Sequence, residues 1–231
     1  MILKGLQKTT LLDFPEKLAC TVFTGGCNFR CPFCHNASLV LRPADVDEIS
    51  EKSFFSYLEK RKDILDGVCI TGGEPLLNPD IEDFILRIRE LGLLVKLDTN
   101  GAFPDRLEAL LDKGLLDYVA MDIKNSPEKY DITVGLDGKF DISVINRSIS
   151  LLMNKAPDYE FRTTVVRELH SAEDIESIAK WLRGARRYYL QKYVDSGDIL
   201  AEGYSAYSDS EMLELHSISC KHIPHAILRG V

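Results

Sequence analysis

From residue 18 to residue 193, short apolar runs of strand length alternate with amphipathic stretches of helix length, and this alternation leaves few folds open. Strands are predicted at 18–23, 67–71, 93–98, 117–122, 159–166 and 187–193. Helices are predicted at 50–64, 79–91, 104–113, 143–153 and 172–183, the first capped by Ser50 with Phe54, Tyr57, Leu58 and Leu65 along one side. Alternation of this kind builds a parallel sheet with right-handed connections and helices outside. Six strands in 231 residues fall short of a full eight-stranded barrel, which typically needs ~250 residues. The expected fold is therefore α/β, a partial (β/α)6 TIM-like barrel in a single domain, with 45% hydrophobic residues to fill its core. Residues 1–17 read as a short hairpin or extended arm with Pro15 before the first main strand, and residues 194–231 as a C-terminal extension. Within that extension Ser208 and Glu211 form a capping box for a helix to Ser217, and 226–229 reads as a last strand.

In such folds the site residues collect at the carboxyl ends of the strands. The first strand runs through the turn Thr24-Gly25-Gly26 into Cys27-Asn28-Phe29-Arg30-Cys31-Pro32-Phe33-Cys34-His35-Asn36, a C-x3-C-x2-C spacing. The next three strands end at Thr71-Gly72-Gly73-Glu74-Pro75, Asp98-Thr99-Asn100-Gly101 and Asp122-Ile123-Lys124. Three soft thiolates suit an iron-sulfur cluster or zinc, and three protein ligands leave one metal position open for chemistry. Two plainer readings stand beside this one. Cys31-Pro32-Phe33-Cys34 alone is the pattern of a thioredoxin-like redox pair, which leaves Cys27 idle. A structural zinc site needs a fourth ligand, for which His35 is near but strained.

The other strand ends are open to two readings each. Gly72-Gly73 let backbone approach a ligand, or simply turn the chain. Asp98 and Asp122 close apolar strands, where an unpaired carboxylate is costly, so a cation or ligand amine is one way to neutralise them and helix capping another. Lys124 can bind an anion or snorkel. Cys20 and Cys69 lie inside apolar strands and read as core thiols. Cys220-Lys221-His222-Ile223-Pro224-His225 lacks a metal-ligand spacing and reads as an ordinary tail.

A net charge of −8 argues against a broad nucleic-acid or anionic-membrane footprint. No apolar run approaches the ~18 residues of a membrane span, and Met1-Ile2-Leu3-Lys4 does not open a signal peptide. Six cysteines, three of them clustered, fit metal binding in a reducing compartment, so a cytoplasmic location is expected.

The four motifs in this order resemble the radical S-adenosylmethionine (SAM) enzymes, and among them the glycyl-radical-enzyme activases, with the anaerobic ribonucleoside-triphosphate reductase activating proteins as the nearest match. Supporting stretches are 5–15, Cys34-His35-Asn36, 95–101, 117–122 and 159–165, so the likeness spans roughly residues 3–193. The resemblance implies a radical SAM core with a 4Fe-4S cluster on Cys27, Cys31 and Cys34, whose fourth iron is chelated by the SAM methionyl group. It implies that Gly72, Gly73 and Glu74 support the methionyl amine and that Phe33 lies near the adenine. Asp98, Thr99 and Asp122 would line a site near the methionyl carboxylate that in a related activase holds a monovalent cation, with Lys124 beside it. Arg162 and Gln191 are further cofactor-binding candidates.

The implied reaction is reductive cleavage of SAM with an electron from flavodoxin or ferredoxin, followed by hydrogen abstraction from a glycine of a partner enzyme by the 5'-deoxyadenosyl radical. No side-chain catalyst is required. Pyruvate formate-lyase is a second possible client. A small-molecule enzyme similar to 7-carboxy-7-deazaguanine synthase is an alternative, although that family carries Cys-Asp-Thr where this chain has Cys34-His35-Asn36. A zinc or thiol-redox binding module is the non-enzyme alternative.

Overall fold

A computed structural model of the chain describes residues 1–136, 138 and 140–231. Among the described residues eight strands form one sheet in sequential order: β1 (Leu3–Thr10), β2 (Ala19–Thr24), β3 (Gly67–Gly72), β4 (Leu94–Thr99), β5 (Tyr118–Asp122), β6 (Tyr159–Val165), β7 (Tyr188–Lys192) and β8 (Ala226–Arg229). β2 to β7 are the six predicted parallel strands, β2 to β6 buried along most of their length and β7 at Tyr188 and Leu190. The arm at 1–17 supplies a full strand, β1, antiparallel to β2 from Leu3 opposite Thr24 to Thr10 opposite Ala19. The C-terminal extension supplies β8, parallel to β7, so both flanking segments widen the sheet.

The helices are α1 (Ala37–Leu41), α2 (Glu51–Glu59), α3 (Ile81–Glu90), α4 (Pro104–Asp112), α5 (Tyr130–Thr133), α6 (Ser143–Lys155), α7 (Ala172–Trp181) and α8 (Asp209–Cys220). α2 begins at its Ser50 cap, whose hydroxyl accepts from the Ser53 N–H, but stops at Glu59 rather than reaching Ile64. Residues 59–63 are all charged and exposed, and Ile64 is itself exposed, so no apolar stripe carries the helix further. Pro104 opens α4, and the Ser208–Glu211 capping box opens α8, which continues to Cys220. α1 and α5 were not anticipated, because five and four residues are too short to show a helical period.

The amino ends of the strands are closed by residues 11–17. Phe14 is buried against Tyr118, with ring centroids 6.1 Å apart, and its ring lies where a Cβ on Gly67 would fall. Asp13 accepts a hydrogen bond from the Thr21 hydroxyl just above that plug.

Candidate active site

The carboxyl ends of β2 to β7 surround a cavity of about 510 Å3 that runs down to Asp13. Cys27, Cys31, Cys34, Phe33, Gly72, Gly73, Asp98, Thr99, Asp122, Lys124, Arg162 and Gln191 all line it. Of the residues that the family resemblance assigns to cluster or cofactor, Glu74 alone does not.

The cysteine loop is pinned from several sides. The Arg30 N–H donates to the Val134 carbonyl at 2.8 Å, and the Ala201 N–H to the Pro32 carbonyl at 2.9 Å. Phe29 is buried edge-on against Phe140 at 5.2 Å. Asp198 accepts from both the N–H and the hydroxyl of Ser38, just past the last cysteine. All six cysteines are free. Burial pushes the Cys31 thiol up to about 12 and raises Cys27 as well, so metal binding at this loop must release protons. Cys27 Sγ accepts from the Phe29 N–H at 3.4 Å and stands 3.7 Å from Asn100 Nδ2, contacts that suit a ligating thiolate. Three free thiols facing one cavity, with backbone and amide donors directed at a sulfur, fit a cluster-ligand set. Among the described residues no three His, Cys, Asp or Glu side chains converge closely enough to hold a single metal ion.

The glycine-rich loop after β3 needs its glycines first for backbone packing. A Cβ on Gly73 would lie 1.8 Å from the Gly26 carbonyl oxygen. Gly72, at φ +112, would place one 2.5 Å from the Thr24 backbone. That contact lets the Gly73 N–H donate to Thr24 O at 2.9 Å and the Glu74 N–H to Gly26 O at 2.8 Å, joining this loop to the cysteine loop. Glu74 is turned away from the cavity and wholly buried. Its carboxylate accepts from the Thr99 hydroxyl (2.8 Å), the Leu76 N–H (3.0 Å) and the Asn100 N–H (2.7 Å), so it ties the β3 and β4 loops together. Burial lifts its pKa to about 7 against the opposing pull of these three hydrogen bonds.

The far wall is a chain of charges. Arg162 on β6 reaches Asp98 through Nη1 at 3.0 Å and Asp122 through Nε at 2.9 Å. Asp122 also holds Lys124 Nζ at 2.9 Å, and Asp98 holds the ammonium of Lys96. Burial alone would raise both carboxyls, but the neighbouring cations more than offset it and hold them below the usual carboxylate range. Beneath them Glu160 accepts from Tyr118 Oη at 2.8 Å and pairs with both Arg229 Nη atoms at 3.2 Å.

Lys96, Glu160 and Arg229 were not singled out in the sequence. For Lys96 the signal was present: a lysine two residues before Asp98 in an apolar strand faces the same side. Asn100 and His35 line the cavity too, and His35 packs edge-on against Tyr193 at 5.5 Å. Burial, and then the Lys124 charge, lower the His35 pKa.

Cys20 is a buried core thiol as expected, whereas Cys69, equally buried, sits 3.7 Å from Lys96 Nζ and so belongs to the charged wall. Cys220 ends α8 beside His216, and His222 lies by Glu176 and Arg183. No described helix is long and apolar enough to cross a membrane.

The model of the radical SAM superfamily matches residues 21–182. A relative from Methanocaldococcus jannaschii, named "Putative glycyl-radical enzyme activating enzyme", is 33% identical over 238 residues, covering 100% of this chain and 96% of its own. A 7-carboxy-7-deazaguanine synthase of Methanopyrus kandleri is 34% identical over 123 residues, 43% of this chain and 46% of its own. Among solved structures, Streptococcus suis SuiB bound to its precursor peptide SuiA superposes with a TM-score of 0.72 at 16% identity. That match covers 91% of this chain and 48% of SuiB, so this chain spans about half of that protein and shares its fold.

Proposed function

The chain belongs to the radical SAM superfamily, and from that premise we propose that it activates a glycyl-radical enzyme, with an anaerobic ribonucleoside-triphosphate reductase as client. When bound, the 4Fe-4S cluster and SAM together supply one-electron cleavage of the sulfonium and a 5'-deoxyadenosyl radical. Cys27, Cys31 and Cys34 would hold the cluster. Gly72 and Gly73 leave room for the methionyl amine, while Arg162 and Lys124 offer positive charge to the methionyl carboxylate. Phe33, buried on the cavity wall, offers an apolar face to the adenine. The Glu74 strut and the Asp198 latch fix the loops that carry these groups, which limits water entry and side reactions.

The observation that carries this reading is the gathering of residues from six strand ends around one cavity beside three free thiols. A protein client is favoured by the end-to-end likeness to the M. jannaschii relative. The edges formed by β1 and β8 suit it as well, because among the described strands they are not joined to each other, β1 carrying there a single bridge from Leu3 to Ile49, and a lateral opening can admit a peptide loop. The free cysteines suit the reducing cytoplasm, with flavodoxin or ferredoxin as electron donor. The part-length likeness to the deazaguanine synthase keeps a small-molecule substrate as the second reading.

The test is anaerobic reconstitution followed by incubation with SAM, reductant and each candidate client. A glycyl doublet in electron paramagnetic resonance on the reductase supports the proposal. Cleavage of SAM with no doublet on any client, but turnover of a small molecule, replaces it with the second reading.

A further inference from the structure

The family resemblance places a monovalent cation among Asp98, Thr99 and Asp122, and the donors it would need are already engaged. Asp98 Oδ1 holds the Lys96 ammonium and Oδ2 takes Arg162 Nη1 at 3.0 Å. Asp122 Oδ1 takes Arg162 Nε at 2.9 Å and Oδ2 takes Lys124 Nζ at 2.9 Å. The Thr99 hydroxyl donates to Glu74 at 2.8 Å and accepts from the Gly101 N–H at 3.1 Å. Each carboxylate oxygen of both aspartates therefore faces a protein cation. The row runs Lys96, Asp98, Arg162, Asp122, Lys124, and beneath it Glu160 stands 3.8 Å from Arg162 Nη1 and pairs with Arg229, so that four cations face three anions. Such a row has an affinity for an anionic group such as a carboxylate and none for a further cation.

Lys96 differs from Arg162 and Lys124 in place. It is 1% exposed, does not line the cavity, and its ammonium lies 3.7 Å from Cys69 Sγ and 5.8 Å from the centre of the Tyr118 ring. It therefore acts through Asp98, as a positioning residue.

We infer that the Lys96 ammonium takes the place of the monovalent cation in this chain, so that the charged wall is complete, and SAM is held, without alkali metal. The SAM half of this statement rests on the function proposed above, and the counter-ion half does not. Removing the ammonium while keeping its volume should recreate a cation site at Asp98.

Apoprotein melting, and SAM affinity of the cluster-loaded enzyme, are compared in choline, sodium and potassium chloride at equal ionic strength. The wild type should melt within about 1 °C and bind within about twofold in all three salts. Lys96→Met should melt roughly 10 °C lower in choline, bind SAM about tenfold more weakly, and recover part of both losses when sodium or potassium is added. A merely structural lysine would give the loss without the alkali-metal rescue, and that result overturns the inference. So does a wild type whose melting or affinity depends on alkali metal. If Lys96→Met does not fold, Lys96→Gln replaces it, and if neither folds the wild-type comparison decides. A wild type that melts independently of alkali metal, with rescue in the variant, but binds no SAM in any salt, leaves the counter-ion in place and removes the proposed cofactor.

Discussion

The two ends of the same strands are built on opposite principles. At the amino ends, Phe14, Ala19 and Tyr118 make a small apolar cluster over Gly67, and the chain closes the sheet with packing. At the carboxyl ends, glycines, thiols and paired charges surround a cavity, and the loops are held by hydrogen bonds from one loop to the next. Packing at the base is non-directional and tolerates apolar groups of similar volume. The rim is held by specific donors and acceptors, so single-atom changes there are felt. Stability and chemistry can therefore be altered separately, one from each end.

The severest way to sharpen this contrast is at the thiols. Cys31→Ser should lose the iron chromophore, and SAM cleavage should fall below about 1% of wild type, as measured by iron content and 5'-deoxyadenosine release. Next, Gly73→Ala drives a methyl into the Gly26 carbonyl and must part the two loops, so SAM affinity should drop at least ~tenfold in equilibrium dialysis. At the other end, Phe14→Ala should cost about 3–5 kcal/mol in urea unfolding while changing SAM affinity less than ~twofold. A parallel fall in affinity would break the separation of the two ends.

The last effect is one of pH and is read in stability. The folded pKa of Glu74, about 7, lies above its ordinary value near 4.5, so its protonated form is the one folding favours. Its contribution is full below about pH 4.5 and is lost as pH rises through about 7, on the order of 3 kcal/mol. Glu74→Gln should flatten that slope in apoprotein unfolding measured across the same range.

The contrast also explains what could be read in advance. The cysteine spacing is local, and strand ends follow from alternation, so the thiols, Gly72, Gly73, Asp98 and Asp122 could be found by inspection. That Arg162 bridges the two aspartates could not, because pairing Asp98 with Arg162 depends on a register that passes through Ala120 to Glu160 across β5. Arg229 reaches Glu160 only because β8 adds to the sheet beside β7, a placement its four residues do not announce. Glu74 looked like a ligand contact in its motif and is a buried strut, since only the fold shows which way its side chain turns.

The latch between Asp198 and Ser38 spans 160 residues of chain. The Ala201 N–H on the Pro32 carbonyl closes the same gap one step further on. During synthesis the three thiols leave the ribosome well before Asp198 and Ala201, which secure their loop. The metal pocket therefore cannot acquire its final shape until the chain has been made some 160 residues beyond Ser38, so cofactor insertion must wait for that later segment.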